Sequence, residues 1–288
     1  MSSKNHILVP VDFSEQSLIA LGQSQNLARL TRAELTLIYV IEEAINLPFV
    51  KRKEEKTLEK NIFKELDKLA HETTAKSGVK TDVIIVRGKV YEEIQKAAKK
   101  LKSSMIIMGT NGAASFKKRF IGSNALRVIR ESPCPVITIR GKKHRLGCKH
   151  ILLPLDLTKE TKEKVAKAVE ISQLYGSHIY LMSVLTTDDE FIVNRLNRQM
   201  IQVEDFIKDH NVPCSHEFVH ASDVPEEIVK YSKKIDADLI MIMTGKESGW
   251  TEMFITNDAM QVINNTDVPV LSIRPIKRKN TALSAMEY

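Results

Sequence analysis

Apolar runs of strand length alternating with amphipathic segments, written twice in one chain, predict an α/β fold. The expected form is two tandem doubly wound domains, each with a five-stranded parallel sheet flanked by helices. Three observations carry this expectation: strand-length runs with no polar alternation, helical spacing between them, and a second half that nearly repeats the first.

The repeat is read residue by residue. Ile7-Leu8-Val9-Pro10-Val11-Asp12-Phe13-Ser14 returns as Ile151-Leu152-Leu153-Pro154-Leu155-Asp156-Leu157-Thr158, a shift of 144. Leu37-Ile38-Tyr39-Val40 returns at the same shift as Leu181-Met182-Ser183-Val184. Further along the shift falls to 134: Val90-Tyr91-Glu92-Glu93-Ile94 matches Val224-Pro225-Glu226-Glu227-Ile228, and Pro135–Arg140 matches Pro269–Arg274. The difference falls after the second strand, where the first half carries Asn46 to Lys60, read as a longer loop and helix entry. The predicted domains are 1–141 and 148–276, joined by a basic, Gly-flanked linker near Gly141 to Gly147, with a polar tail at 277–288.

Within the first half, Ile7–Val11 is a strand, and Ser14 is suited to cap a helix running to about Leu30. Glu34–Val40 is apolar and rich in β-branched residues, a second strand. Leu58, Ile62, Leu66 and Leu69 at helical spacing predict a helix over roughly Lys56 to Lys76, with Gly78 past its end. Val83–Val86 is the next strand, Tyr91–Leu101 a helix, Met105–Met108 a strand, Ser123–Arg130 a helix, and Pro135–Ile139 the last strand. Right-handed crossovers make such an alternation doubly wound.

At 288 residues the chain has room for two cores, and 43% hydrophobic with 27% charged residues is ordinary globular composition. Cys134, Cys148 and Cys214 form no CxxC pair, so neither a disulfide framework nor a zinc site is expected; they fit a reducing cytoplasm. Met1 to His6 leads straight into a strand, so no signal peptide is expected, and no apolar run approaches the ~18 residues of a membrane span. A net charge of +7 raises the question of nucleic acid. The lysines, however, are spread over helix faces, as Lys96, Lys99, Lys100 and Lys102 beside Glu92 and Glu93. The one dense run is Lys277-Arg278-Lys279, and no aromatic residues interleave with a basic stripe. Solvated helix faces are the better reading, and nucleic acid is not an expected partner.

In open parallel sheets ligands bind beyond the carboxyl ends of strands, where the strand order reverses. Asp12, Val40 and Gly109 follow or end three such strands. Gly109 and Gly112, then Gly122-Ser123 opening a helix, let backbone N–H groups approach a phosphate. Ser123 adds a hydroxyl donor, and Lys117, Lys118 and Arg119 add positive charge between them. Each residue also has a plainer reading. The glycines serve as turn residues, Asp12 as a cap beside Ser14, Val40 as core, and the three cations as a solvated loop. The combined spacing favours a nucleotide site.

Gly-x2-Gly-x9-Gly-Ser, with Val-Pro-Val-Asp-Phe-Ser near the start and Pro-Cys-Pro-Val near the end of the first half, closely resembles the universal stress protein family. Both halves resemble it, so the resemblance covers nearly the whole chain. It implies a five-stranded α/β fold that in many members with this motif binds ATP. By position, it implies that Pro10, Asp12 and the Val40 backbone meet adenosine. Gly109, Gly112, Gly122, Ser123 and the Asn124 amide would meet the phosphates, with a Mg or Mn ion held mainly by phosphate oxygens. The resemblance also implies pairing of the last strands, here within one chain, as an intrachain pseudo-dimer; a further homodimer stays open.

The second half keeps Pro154, Asp156 and Val184 but replaces Gly109 with Met243, Gly112 with Lys246, Gly122 with Thr256 and Ser123 with Asn257. Gly245 and Gly249 are off register. One nucleotide per chain is therefore expected, with Lys246 leaving open some other anion. No catalytic constellation is visible, so a regulatory ligand or switch with at most slow hydrolysis is the leading expectation. Adenylylating enzymes of this fold use Ser-Gly-Gly-x-Asp-Ser or His-x-Gly-His, and Val11-Asp12-Phe13-Ser14 is neither. A nucleotide-free interaction scaffold is the other alternative.

Overall fold

The computed structural model describes residues 5–42, 52–110, 121–141, 147–156, 161–244 and 257–274. The first half runs β1 (His6–Pro10), α1 (Glu15–Thr31), β2 (Glu34–Ile41), α2 (Arg52–Ser77), β3 (Thr81–Arg87), α3 (Val90–Leu101), β4 (Met105–Gly109), α4 (Ser123–Glu131) and β5 (Val136–Ile139). The second half repeats it as β6 (His150–Pro154), α5 (Thr161–Tyr175), β7 (His178–Leu185), α6 (Glu190–Asp209) and β8 (Cys214–His220). It closes with α7 (Val224–Lys234), β9 (Leu239–Met243), α8 (Asn257–Asn265) and β10 (Val270–Ile273).

Local chemistry sets the helix ends. Ser14 has extended backbone and its Oγ accepts the Ser17 N–H at 3.2 Å, satisfying one of the amides that a first turn leaves open. Arg32 ends α1 in the left-handed region at φ 52°, its N–H reaching back to the carbonyls of Ala28 and Arg29. Gly78, at φ +72°, supplies the same turn after α2 at no steric cost. That helix starts at Arg52 rather than near Lys56. The added residues are charged, so they carry no apolar spacing by which a sequence reading could find them.

The strands form one ten-stranded sheet in the order β3-β2-β1-β4-β5-β10-β9-β6-β7-β8. Every neighbouring pair is parallel except β5 and β10, which run antiparallel with Val270 opposite Thr138, Leu271 opposite Ile137 and Ser272 opposite Val136. Each half thus has its own parallel five-stranded unit, and the two are continuous through that ladder. Side chains alternate across it. Ile7, Val9, Met105 and Ile107 face one core with Ile19, Leu66 and Ala70. Leu8, Ile106 and Met108 face the other with Ile94, Val128 and Ile129. Both cores run on into the second half, through Leu153 and Met241 on one face and Leu152 and Ile240 on the other.

Three contacts reinforce the joint. Thr138 Oγ1 donates to the Val270 carbonyl at 3.4 Å, and Arg274 Nη1 to the Ser132 carbonyl at 2.7 Å. Gly141 lies so close to the second half that a Cβ there would stand 2.8 Å from the Asp267 carbonyl oxygen. Among the described residues no helix is long and apolar enough to cross a membrane.

Gly141→Ala is expected to destabilise the chain by about 1–3 kcal/mol, since the obstructing atom is backbone and cannot rotate away. Urea unfolding monitored by circular dichroism measures this; an unchanged midpoint would show that the joint yields freely.

Candidate functional site

Beyond β1 and β4 the sheet order reverses, because β2 lies on one side of β1 and β4 on the other. The segments that leave these two strands therefore diverge to opposite faces and open a crevice. Asp12 and Phe13 stand on one wall, Thr110 and the start of α4 on the other.

Asp12 Oδ1 accepts the Ser14 N–H at 3.0 Å and the Ser14 hydroxyl at 2.5 Å. Ser17 Oγ in turn donates to the Ser14 carbonyl at 2.9 Å, and the Asp12 N–H reaches Ser17 Oγ at 3.4 Å. One carboxylate oxygen thus holds Ser14, the N-cap of α1, in an Asx-type turn. Between them Phe13 takes φ 60°, a conformation unusual for a bulky residue and a sign of local strain. The residue is 37% exposed, and its ring lies 5.5 Å from that of Tyr39 on β2. Burial pushes the Tyr39 phenol above its ordinary value, and the carboxylates of Asp12 and then Glu42 push it the same way. Val40, next on β2, is half-buried and packs on the core under α3 and α4. Pro10, half-buried, ends β1.

On the other wall Thr110 is buried, and three elements meet at it. Its N–H donates to the Ile139 carbonyl at 3.0 Å, its hydroxyl to Gln16 Oε1 at 3.1 Å, and its carbonyl accepts the Gly122 N–H at 2.8 Å. Gln16 Nε2 also donates to the Arg140 carbonyl. The Gly122 bond brings the end of β4 to the start of α4. Gly122 is the N-cap of α4, extended at φ −65° and ψ 148°, with no side-chain hydrogen bond to the first turn. Ser123 is exposed and Asn124 half-exposed at that turn. Ile121 donates its N–H to Asn264 Oδ1 of the second half at 2.8 Å.

Both described glycines of the motif are tightly packed. A Cβ on Gly109 would lie 3.0 Å from the backbone of Gln16, so that glycine lets α1 approach β4. A Cβ on Gly122 would lie 3.1 Å from the Thr110 carbonyl oxygen. The structure therefore brings together Pro10, Asp12 and Val40 at one set of strand ends, and Gly109, Gly122, Ser123 and Asn124 at the next. Gly112, Lys117, Lys118 and Arg119 lie outside the described residues. Sequence reasoning missed Phe13, Tyr39, Gln16 and Thr110. A left-handed Phe13 leaves no sequence signal, whereas Thr110, adjoining Gly109 inside the motif, was in plain view.

The donors at this crevice are amides and hydroxyls, and its one carboxylate, Asp12, accepts from Ser14. Among the described residues no group of three or more His, Cys, Asp or Glu is placed to hold a metal ion. That donor set suits phosphate oxygens, and an ion arriving with a nucleotide would take its ligands from them.

In the second half Met243 ends β9 where Gly109 ends β4, with a side chain where the first half has no room for a Cβ. Lys164, the counterpart of Ala20, is buried with 5% exposure and donates Nζ to the Pro154 carbonyl at the end of β6. Lys246, Gly245, Gly249 and Thr256 lie outside the described residues.

The chain matches the Universal stress protein family over residues 4–140 and again over 147–274. It is 32% identical over 147 residues to Universal stress protein MJ0531 of Methanocaldococcus jannaschii, covering 48% of this chain and 82% of that one. A universal stress protein structure from Archaeoglobus fulgidus superposes with TM-score 0.79 at 22% identity, over 96% of this chain and 100% of that one. A second universal stress protein structure from the same organism, solved in complex with dAMP, aligns at 20% identity and TM-score 0.37 over 43% of this chain and 97% of that one. The chain belongs to the universal stress protein family, as two of its domains in tandem.

The Tyr39 phenol reports on this crevice. Asp12→Asn is expected to lower the Tyr39 pKa towards about 10 without reaching it, because burial rather than Asp12 is the larger cause. A 13C NMR titration of the tyrosine ring carbons reads this, and an unmoved Tyr39 would place its perturbation elsewhere.

Proposed function

We propose that this universal stress protein binds one ATP, in its first half, as a regulatory ligand or switch with at most slow hydrolysis. The observation that carries the reading is the closure of Thr110 on Gly122. It sets the first turn of α4, without a side-chain cap, at the sheet's switch point. The N–H groups of Ser123 and Asn124 and the positive end of the helix dipole then face the crevice, which suits phosphate. Adenosine takes the other end, beside Pro10, Asp12, the Val40 backbone and the Phe13–Tyr39 ring pair, whose faces suit a purine. Gly112 joins the phosphate end in this reading. Mg or Mn travels with the phosphates.

The 1–141 and 148–276 units form an intrachain pseudo-dimer in this reading, supported by the antiparallel β5–β10 ladder. The second unit binds no nucleotide, because Met243 and the buried Lys164 stand where the first half has Gly109 and Ala20. Three free thiols fit a cytoplasmic setting.

One observation favours a nucleotide-free scaffold instead: Gly109 and Gly122 each have a packing reason that needs no ligand. The two readings separate cleanly. Native mass spectrometry of gently purified protein should show one adenine nucleotide per chain. By calorimetry, Ser123→Ala should weaken ATP roughly three- to tenfold, the value of one hydrogen bond. Gly122→Val should weaken it by on the order of tenfold or more, since its side chain meets the Thr110 carbonyl. Nucleotide-free protein that shows no thermal shift with ATP would establish the scaffold.

A further inference from the structure

The Ile121 N–H is held by a side chain of the other half: Asn264, near the end of α8, accepts it at 2.8 Å. A backbone amide can only donate, so the carboxamide oxygen must be the atom that faces it. One residue later the Gly122 N–H is fixed by the Thr110 carbonyl at 2.8 Å. Ile121 also packs on the core shared by α3, α4, α7 and α8. The entry to α4 is thus clamped twice in succession, once from its own half and once from the second half. The Ser123 and Asn124 amides follow rigidly, being the next two residues of the same helix.

The residue that makes this clamp differs between the halves. The 134-residue repeat places Arg130 of α4 at the position of Asn264, since α4 and α8 have the same nine-residue length. A guanidinium carries donors and no acceptor, so Arg130 cannot take up an amide N–H as Asn264 does. The second half therefore holds the entry to α4 through an acceptor that Arg130, its counterpart, does not offer.

We propose that Asn264 is a positioning residue for the phosphate end of the first-half site, and that the second half thereby sets the aim of the α4 amides. This rests on the nucleotide reading above. It assigns the half without the motif a part in binding that it performs without touching the ligand.

The test uses the full chain with Asn264→Leu, which keeps the shape and removes the acceptor, and Asn264→Ala in case the first misfolds. Calorimetry is run with ATP and with adenosine, and amide hydrogen exchange is followed at Ile121. The expected result is faster exchange at Ile121 and ATP binding roughly three- to tenfold weaker, with adenosine binding unchanged. Equal losses for ATP and adenosine would reduce Asn264 to a structural role and overturn the proposal. So would undiminished ATP binding with the Ile121 amide deprotected. A wild-type chain that binds neither ligand would instead overturn the nucleotide reading itself, and this inference with it.

Discussion

The hydrogen bond from the Gly122 N–H to the Thr110 carbonyl is the constraint on which the crevice depends. It makes the end of β4 and the start of α4 neighbours although eleven residues lie between Thr110 and Gly122 in the chain. It also favours glycine there, because a Cβ at position 122 would press on the same carbonyl. Thr110 can serve as that anchor because it is itself held on two further sides, by β5 through Ile139 and by α1 through Gln16. A buried threonine with all three polar groups engaged incurs little desolvation cost, whereas the same residue half-satisfied would weaken the fold. The geometry that faces a ligand is therefore inherited from packing, before any ligand contributes.

The second constraint is the antiparallel ladder. An isolated five-stranded unit would leave β5 as an open edge, whose unpaired N–H and C=O groups invite association. Pairing β5 with β10 satisfies both last strands at once, and the two cores then run unbroken across the chain. This continuity explains how a side chain of α8 comes to hold the entry to α4. The helices that follow β4 and β9 approach each other across the joint because their strands each flank one of the two paired edges.

Most of the fold was legible in the sequence because the signals were local. Apolar runs such as Ile7–Val11 and Ile151–Leu155 mark strands, and Ser14 and Gly78 mark helix ends by their side-chain chemistry. The charged start of α2 was not legible, since the residues from Arg52 to Glu55 include no apolar one and so carry no helical spacing. At the site, the strand ends carrying Pro10, Asp12, Val40 and Gly109 could be placed by counting. Asp12 could not be apportioned between cap and ligand, because the bond that decides it depends on the Phe13 backbone turning to φ 60°. Gly109 illustrates the same gap. Spacing suggests a phosphate neighbour, while the atom it must avoid is the backbone of Gln16, which only the packing of α1 reveals.

The two halves diverge by changes that are mechanically linked. Thr244 stands where Thr110 does and keeps the strand-side bond, its N–H reaching the Ile273 carbonyl at 3.0 Å. Its hydroxyl turns to that same carbonyl at 3.3 Å, where Thr110 instead reaches a side chain of α1. Met243 beside it removes the room that Gly109 gives the first turn of α1. Lys164 then threads from α5 to the end of β6, and a buried ammonium needs such a carbonyl partner to remain there. Each change makes the others tolerable: once α5 no longer has to approach β9 as α1 approaches β4, a long cationic side chain fits where Ala20 alone would. At the joint α8 presents Asn264 to the entry of α4, at the position where the repeat puts Arg130 in the first half. The same repeat thus packs its strand ends differently in the second half and sends a side chain from there to the first.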